Sequence, residues 1–131
     1  MKIAIERPPI WDEAQKVFEI SDRAVFTYGD TLYNPANGHI DEHLMVHEET
    51  HMRQQGEDPH GWWLRYMASP DFRLYQELEA YHNQYVSFCK KNRDRNQQNA
   101  FLYALARDLS SSLYKLSIGI HSAMIEIRSF K

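Results

Sequence analysis

Residues 47–51 read His-Glu-Glu-Thr-His, two imidazoles one helical turn apart with a carboxylate directly after the first. Side chains at i and i+4 stack on one helix face, so His47 and His51 can reach a single metal ion. Glu48 lies about 100° around the helix from His47, on the same half as His51. From there its carboxylate can take a proton from a metal-bound water without occupying a coordination position, the role of a general base. Zinc would lower the pKa of that water to roughly 7 and polarise a scissile carbonyl. Ile40, Leu44, His47, Glu48, His51 and Gln55 share this face, so ionisable groups interrupt an otherwise apolar stripe. Burying them is costly without a partner, and one cation supplies it.

Two histidines do not complete such a site, because catalytic zinc usually takes three protein ligands and one water. The segment Tyr75–Tyr81 offers two carboxylates. Leu74, Leu78, Tyr81, Tyr85 and Phe88 form the apolar stripe of a helix there. Glu77 stands within about 40° of Tyr81 on that helix, whereas Glu79 points roughly 160° away. Glu77 is therefore expected as the third ligand of one zinc ion. Glu79 is expected to face solvent or to support a ligand from behind. His39 and His43 precede His47 at four-residue intervals, but so long a row cannot converge on one ion; both are expected at the surface or behind the ligands. His60, His82 and His121 have no spacing partner and read as structural or exposed. Tyr66, Tyr81, Tyr85 and Arg73 are conceivable oxyanion stabilisers, and none is assigned.

The His-Glu-x-x-His at 47–51, followed about 25 residues later by Glu-x-x-Ala at 77–80 on a second helix, resembles the gluzincin type of zinc metallopeptidase. It is most similar to the compact forms of phage and mobile-element proteins and of the CAAX-prenyl-protease group. The resemblance spans roughly residues 25 to 90. It implies that Glu77 is the third zinc ligand, and that an extended peptide binds along a strand just before the active helix, at Thr31-Leu32-Tyr33 or the turn after it. These families often continue Glu-x-x-Ala with Asp or Asn. Tyr81 stands there instead, so the partner that steadies a zinc histidine is absent or comes from elsewhere.

The elements that must position these residues are legible in outline. Lys2 to Glu6 alternates and ends at Pro8-Pro9, which predicts a short strand. Asp12 begins a predicted helix through about Ile20, and Ala24 to Tyr33, broken by Gly29-Asp30, predicts a hairpin. Asn34 to Gly38 turns the chain into a helix from Asp41 to Gln55, stopped by Gly56 and Pro59. Residues 60–69 read as irregular. Ser69-Pro70 starts a helix running to Lys91, and Asn92 to Asn99 reads as a polar loop. Leu102, Leu105, Leu109, Leu113 and Leu116 then mark the buried stripe of another helix. Residues 118–130 fit helix and strand equally.

These elements predict one α+β domain over residues 1–131, with a small, mostly antiparallel sheet packed on the 41–55 helix and two further long helices closing the core, zincin-like in plan. The lone Cys89 excludes an internal disulfide framework and fits a reducing compartment. A net charge of −3 gives no reason to expect nucleic acid or an anionic membrane as partner. The basic run Lys90–Arg95 reads as a solvated helix end. No apolar run approaches the ~20 residues of a membrane span, and Met1–Pro9 is not a signal peptide, so a cytoplasmic location is expected. The leading expectation is a zinc metallopeptidase acting on a peptide or protein substrate. The alternative is a catalytically silent zinc-binding scaffold serving as a phage-type structural or regulatory partner. Oligomeric state is left open.

Overall fold

The computed structural model describes all 131 residues. Strand β1 (Lys2–Ala4) leads through a single helical turn, α1 (Trp11–Ala14), to the hairpin strands β2 (Phe26–Tyr28) and β3 (Thr31–Tyr33). Gly29 takes φ +63° at the first central position of the two-residue turn between them, a conformation that favours glycine there. Five helices follow: α2 (Glu42–Gln55), α3 (Pro59–Ala68), α4 (Pro70–Lys91), α5 (Arg95–Leu109) and α6 (Ile120–Ser129).

The α+β class holds, but the sheet is mixed rather than mostly antiparallel. Its order is β1-β3-β2, with β1 parallel and β2 antiparallel to β3. The first strand is separated from the hairpin by α1 and a long return, which lets it enter beside β3 in the same direction. The helical part is also larger than two long helices beyond α2. Residues 59–68 are helical, with Pro59 in the first turn and the Asp58 carboxylate accepting from Gly61 N at 2.9 Å. Pro59 thus starts a helix as well as marking the end of the one before. Asp94 likewise caps α5, which shortens the expected loop to residues 92–94. The leucine stripe of α5 ends at Leu109, after which Ser110 to Ser112 turn the chain and Leu113 is exposed. The predicted 12–20 helix tightens after Ala14 into turns such as Lys16 N to Glu13 O.

Apolar burial is divided between two clusters. Leu78, Tyr81, Leu102, Leu105, Leu109 and Ile127 bring α4, α5 and α6 together. Ile10, Ala14, Trp62, Trp63 and Tyr66 join α1 to α3. Helix α2 contributes to neither. Its buried residues are His47, Glu48, Thr50, His51 and Gln55, all polar. Such a helix is held by specific hydrogen bonds, since unpaired buried polar groups cost more than they return. Gln55 donates to Thr27 O at 2.7 Å and accepts from Gly29 N at 2.8 Å, fastening α2 to the hairpin. Asn83 donates to Thr50 Oγ1 at 3.0 Å, fastening it to α4. Gly56, at φ +56°, ends the helix and turns the chain toward α3.

Candidate metal centre

The polar face of α2 meets α4 at three buried residues. His47 Nε2 and His51 Nε2 are 3.1 Å apart, His47 Nε2 lies 3.2 Å from Glu77 Oε1, and His51 Nε2 lies 3.2 Å from Glu77 Oε2. Donor atoms at the corners of a tetrahedral zinc site with ~2.0–2.1 Å bonds stand about 3.3 Å apart. The observed spacings are close to that, and each of the three residues can offer one ligand atom to a common ion.

The hydrogen atoms are where a metal needs them. Gln54 donates through Nε2 to Gln76 O at 2.9 Å and to Glu79 Oε1 at 2.8 Å, so its carbonyl oxygen must face His51 Nδ1, 2.8 Å away. Nδ1 of His51 therefore carries a proton, and in neutral imidazole the Nε2 lone pair is free. Gln84 plays the same part for His47, with Oε1 2.9 Å from Nδ1 and Nε2 3.0 Å from His43 Nδ1. Two lone pairs and a carboxylate then point at one spot. Glu77 Oε1 is fully buried and has no hydrogen-bond partner, while Oε2 accepts from the Tyr66 hydroxyl at 2.5 Å. A buried carboxylate oxygen left without a donor is rare in folded proteins. The residues fit a divalent cation held by His47, His51 and one oxygen of Glu77.

In the metal-free protein a proton takes that role. Burial works against the His51 imidazolium, but the charge and hydrogen bond of Glu77, with Glu48 behind them, outweigh it and raise the pKa to about 9. Burial likewise opposes ionisation of Glu77, yet His51 and His47 hold its carboxyl well below the usual range. Burial and the Glu77 charge push the Tyr66 phenol far up, so it remains a donor.

Glu48 is buried and lines a cavity of about 230 Å³ with His47, His51, Glu77 and Tyr66, and Thr27 Oγ1 donates to its Oε2 at 2.8 Å. Phe18, Trp62 and Trp63 form the apolar wall. The strand beside this site is β2. Strand β3, expected to receive an extended peptide, is flanked on both sides by β1 and β2 and has no free edge.

Several supporting residues escape sequence reasoning. Gln84 lies 37 residues from His47 and carries no spacing signal; Gln54 stands three residues after His51, but its anchoring to Glu79, 25 residues on, is invisible in the sequence; and Tyr66, a conceivable oxyanion stabiliser by sequence, instead donates to Glu77, 11 residues away. Glu79, expected at the surface or behind a ligand, takes the second place through Gln54. His43 stands behind His47 through Gln84, and its ring packs on Phe101 at 4.8 Å. His39 is exposed beside Asp41, and His82 bonds to Ile127 O. The Tyr81 hydroxyl is paired with that of Tyr114 at 2.6 Å, and Tyr85 lines neither cavity beside the site. Arg73 is buried with its guanidinium on main-chain carbonyls: Tyr66 at 2.6 Å, Tyr114 at 2.8 Å and Lys115 at 3.3 Å.

No helix is long and apolar enough to cross a membrane. Comparison of the chain with protein-family profiles, curated proteins and solved structures returns no match.

Proposed function

We propose that the protein is a zinc-dependent hydrolase, a metallopeptidase that cleaves peptide or amide bonds. One observation carries the reading: three buried side chains able to hold one ion, His47, His51 and Glu77, meet from two helices at the wall of a cavity, and a further carboxylate, Glu48, lines that same cavity. A structural zinc site is closed by four protein ligands, whereas a catalytic one keeps a position for water or substrate. The pair of imidazoles with one carboxylate is a donor set that zinc takes in hydrolases.

Bound there, zinc would supply Lewis-acid chemistry, acidifying water and polarising a carbonyl. The chain's own residues do the rest. Gln54 and Gln84 fix both imidazole tautomers, and Tyr66 occupies one oxygen of Glu77 so that the other is left for the ion. Glu48, held by Thr27, accepts a proton from water on the cavity side and returns it to the leaving amine. Phe18, Trp62 and Trp63 exclude bulk water on one side.

The test pairs metal content with turnover. Protein purified without added metal should carry about one zinc per chain, and it should cleave members of a peptide library in a chelator-sensitive way. Glu48→Gln should keep the zinc and lose turnover. Full activity in Glu48→Gln would sink the mechanism, and bound zinc without cleavage of any peptide would favour the silent scaffold.

A further inference from the structure

The two imidazoles of the metal centre are not steadied in the same way. Behind His51, the Gln54 amide is pinned by two groups that only accept, the carbonyl oxygen of Gln76 and the carboxylate of Glu79. Its nitrogen must face them, so its oxygen must face His51 Nδ1. Gln84 has no such anchor. Its amide spans two ring nitrogens, His47 Nδ1 at 2.9 Å and His43 Nδ1 at 3.0 Å, and a ring nitrogen can either donate or accept. Turned end for end, the amide would still make two hydrogen bonds, but with its nitrogen toward His47. Nδ1 of His47 would then accept, and the proton would sit on Nε2, where a metal binds. Gln84 alone does not decide whether His47 can be a ligand.

The decision passes to His43. Its Nε2 lies 3.7 Å from Asp41 Oδ2, and a carboxylate favours a proton on that nitrogen. In a neutral imidazole a proton on Nε2 leaves Nδ1 as an acceptor. That acceptor draws the Gln84 nitrogen and turns the Gln84 oxygen toward His47. Two further observations fit this use. Asp41 occupies the N-cap position of α2, yet its side chain makes no capping hydrogen bond and instead stands near both His39 and His43. The His43 ring is also packed edge-on against Phe88 and Phe101, with centroids 6.0 and 4.8 Å away, which restricts how it can turn.

We infer that His43 is a positioning residue for the metal: acting through Gln84, it sets the tautomer in which His47 presents its Nε2 lone pair to the ion. The inference rests on the metal centre of the proposed function and is independent of whether peptides are cleaved.

The experiment measures zinc affinity of the full chain by chelator competition, with helical circular dichroism recorded for every variant. His43→Leu keeps an apolar side chain against Phe88 and Phe101 but cannot accept a hydrogen bond. It should weaken zinc binding about tenfold, the lower end of what losing a ligand's supporting partner costs. His43→Asn, which returns an acceptor oxygen near the Nδ1 position, should recover most of that loss. Gln84→Glu places an acceptor beside His47 Nδ1 whatever stands at position 43, so in that background His43→Leu should change affinity by no more than about twofold. Lost packing alone would cost the same in both backgrounds, so the double-mutant cycle separates positioning from a structural role. In the zinc-loaded protein, the His47 Nδ1 proton followed by NMR should exchange with water faster in His43→Leu than in the parent. An equal loss in both backgrounds, or zinc binding by His43→Leu that matches the parent, would overturn the inference and leave the metal centre standing. A parent chain that takes up no zinc would overturn both.

Discussion

Metal uptake should expel one proton from His51, and the size of the effect follows from the ion pair it forms with Glu77. In the metal-free protein the His51 pKa is about 9, and a metal binds only the deprotonated Nε2. The apparent zinc dissociation constant should therefore track the imidazolium fraction. It should fall about tenfold per pH unit above pH 7 and flatten near pH 9, on the order of 50-fold in all. Competition with a zinc dye, corrected for the dye's own protonation, measures the profile. Calorimetry in two buffers of different ionisation enthalpy counts the protons, and about one per zinc should leave at pH 7. Glu77→Gln removes both a ligand and the charge that raises His51, so it should bind more weakly and with a shallower pH profile. A linked prediction concerns stability. The folded His51 pKa lies above its ordinary 6.5, so its contribution is complete below that pH and is lost as pH rises through about 9. Thermal stability of the metal-free protein should decline across that interval, and saturating zinc should remove the slope. A flat affinity profile with no proton released at pH 7 would refute the reasoning.

Three further perturbations test the surroundings of the centre. Gln54→Ala cuts the link from Glu79 to His51, and zinc affinity measured by chelator competition should fall about 10- to 100-fold with the helical circular dichroism retained. Tyr66→Phe leaves Glu77 without its donor and should cost the metal-free protein about 1–3 kcal/mol in urea unfolding. Thr27→Val removes the hydroxyl that holds Glu48, so peptide turnover should drop while zinc content stays constant; unchanged turnover would show that Glu48 needs no such anchor.

The helix that carries His47 and His51 and the inward turn of Glu77 are readable because both follow from helical periodicity within a few residues. What lay beyond reach was long-range. His51 and Gln54 are a local pair three residues apart on α2, but nothing in the sequence shows that Gln76 and Glu79 hold Gln54 in place, or that Gln55 ties α2 to the hairpin. Asp58-Pro59 is a readable start for α3, masked because the proline also reads as a stop for α2, which Gly56 already ends. The parallel entry of β1 depends on how the 5–25 segment returns, which no pattern in Lys2–Glu6 encodes. The leucine stripe overran α5 because Leu113 and Leu116 keep its spacing after Ser110 to Ser112 have already turned the chain.

Arg73 has a consequence for how the lining beside this site can diversify. It grips Tyr114 and Lys115 by their carbonyl oxygens, atoms that every residue type presents alike. The neighbouring Leu113, which lines both cavities beside the site, can therefore be exchanged for larger, smaller or polar residues without loosening that grip. Mutation is thus given a replaceable tile on a fixed frame: the lining at this position can change while the carbonyl oxygens that Arg73 holds stay in place.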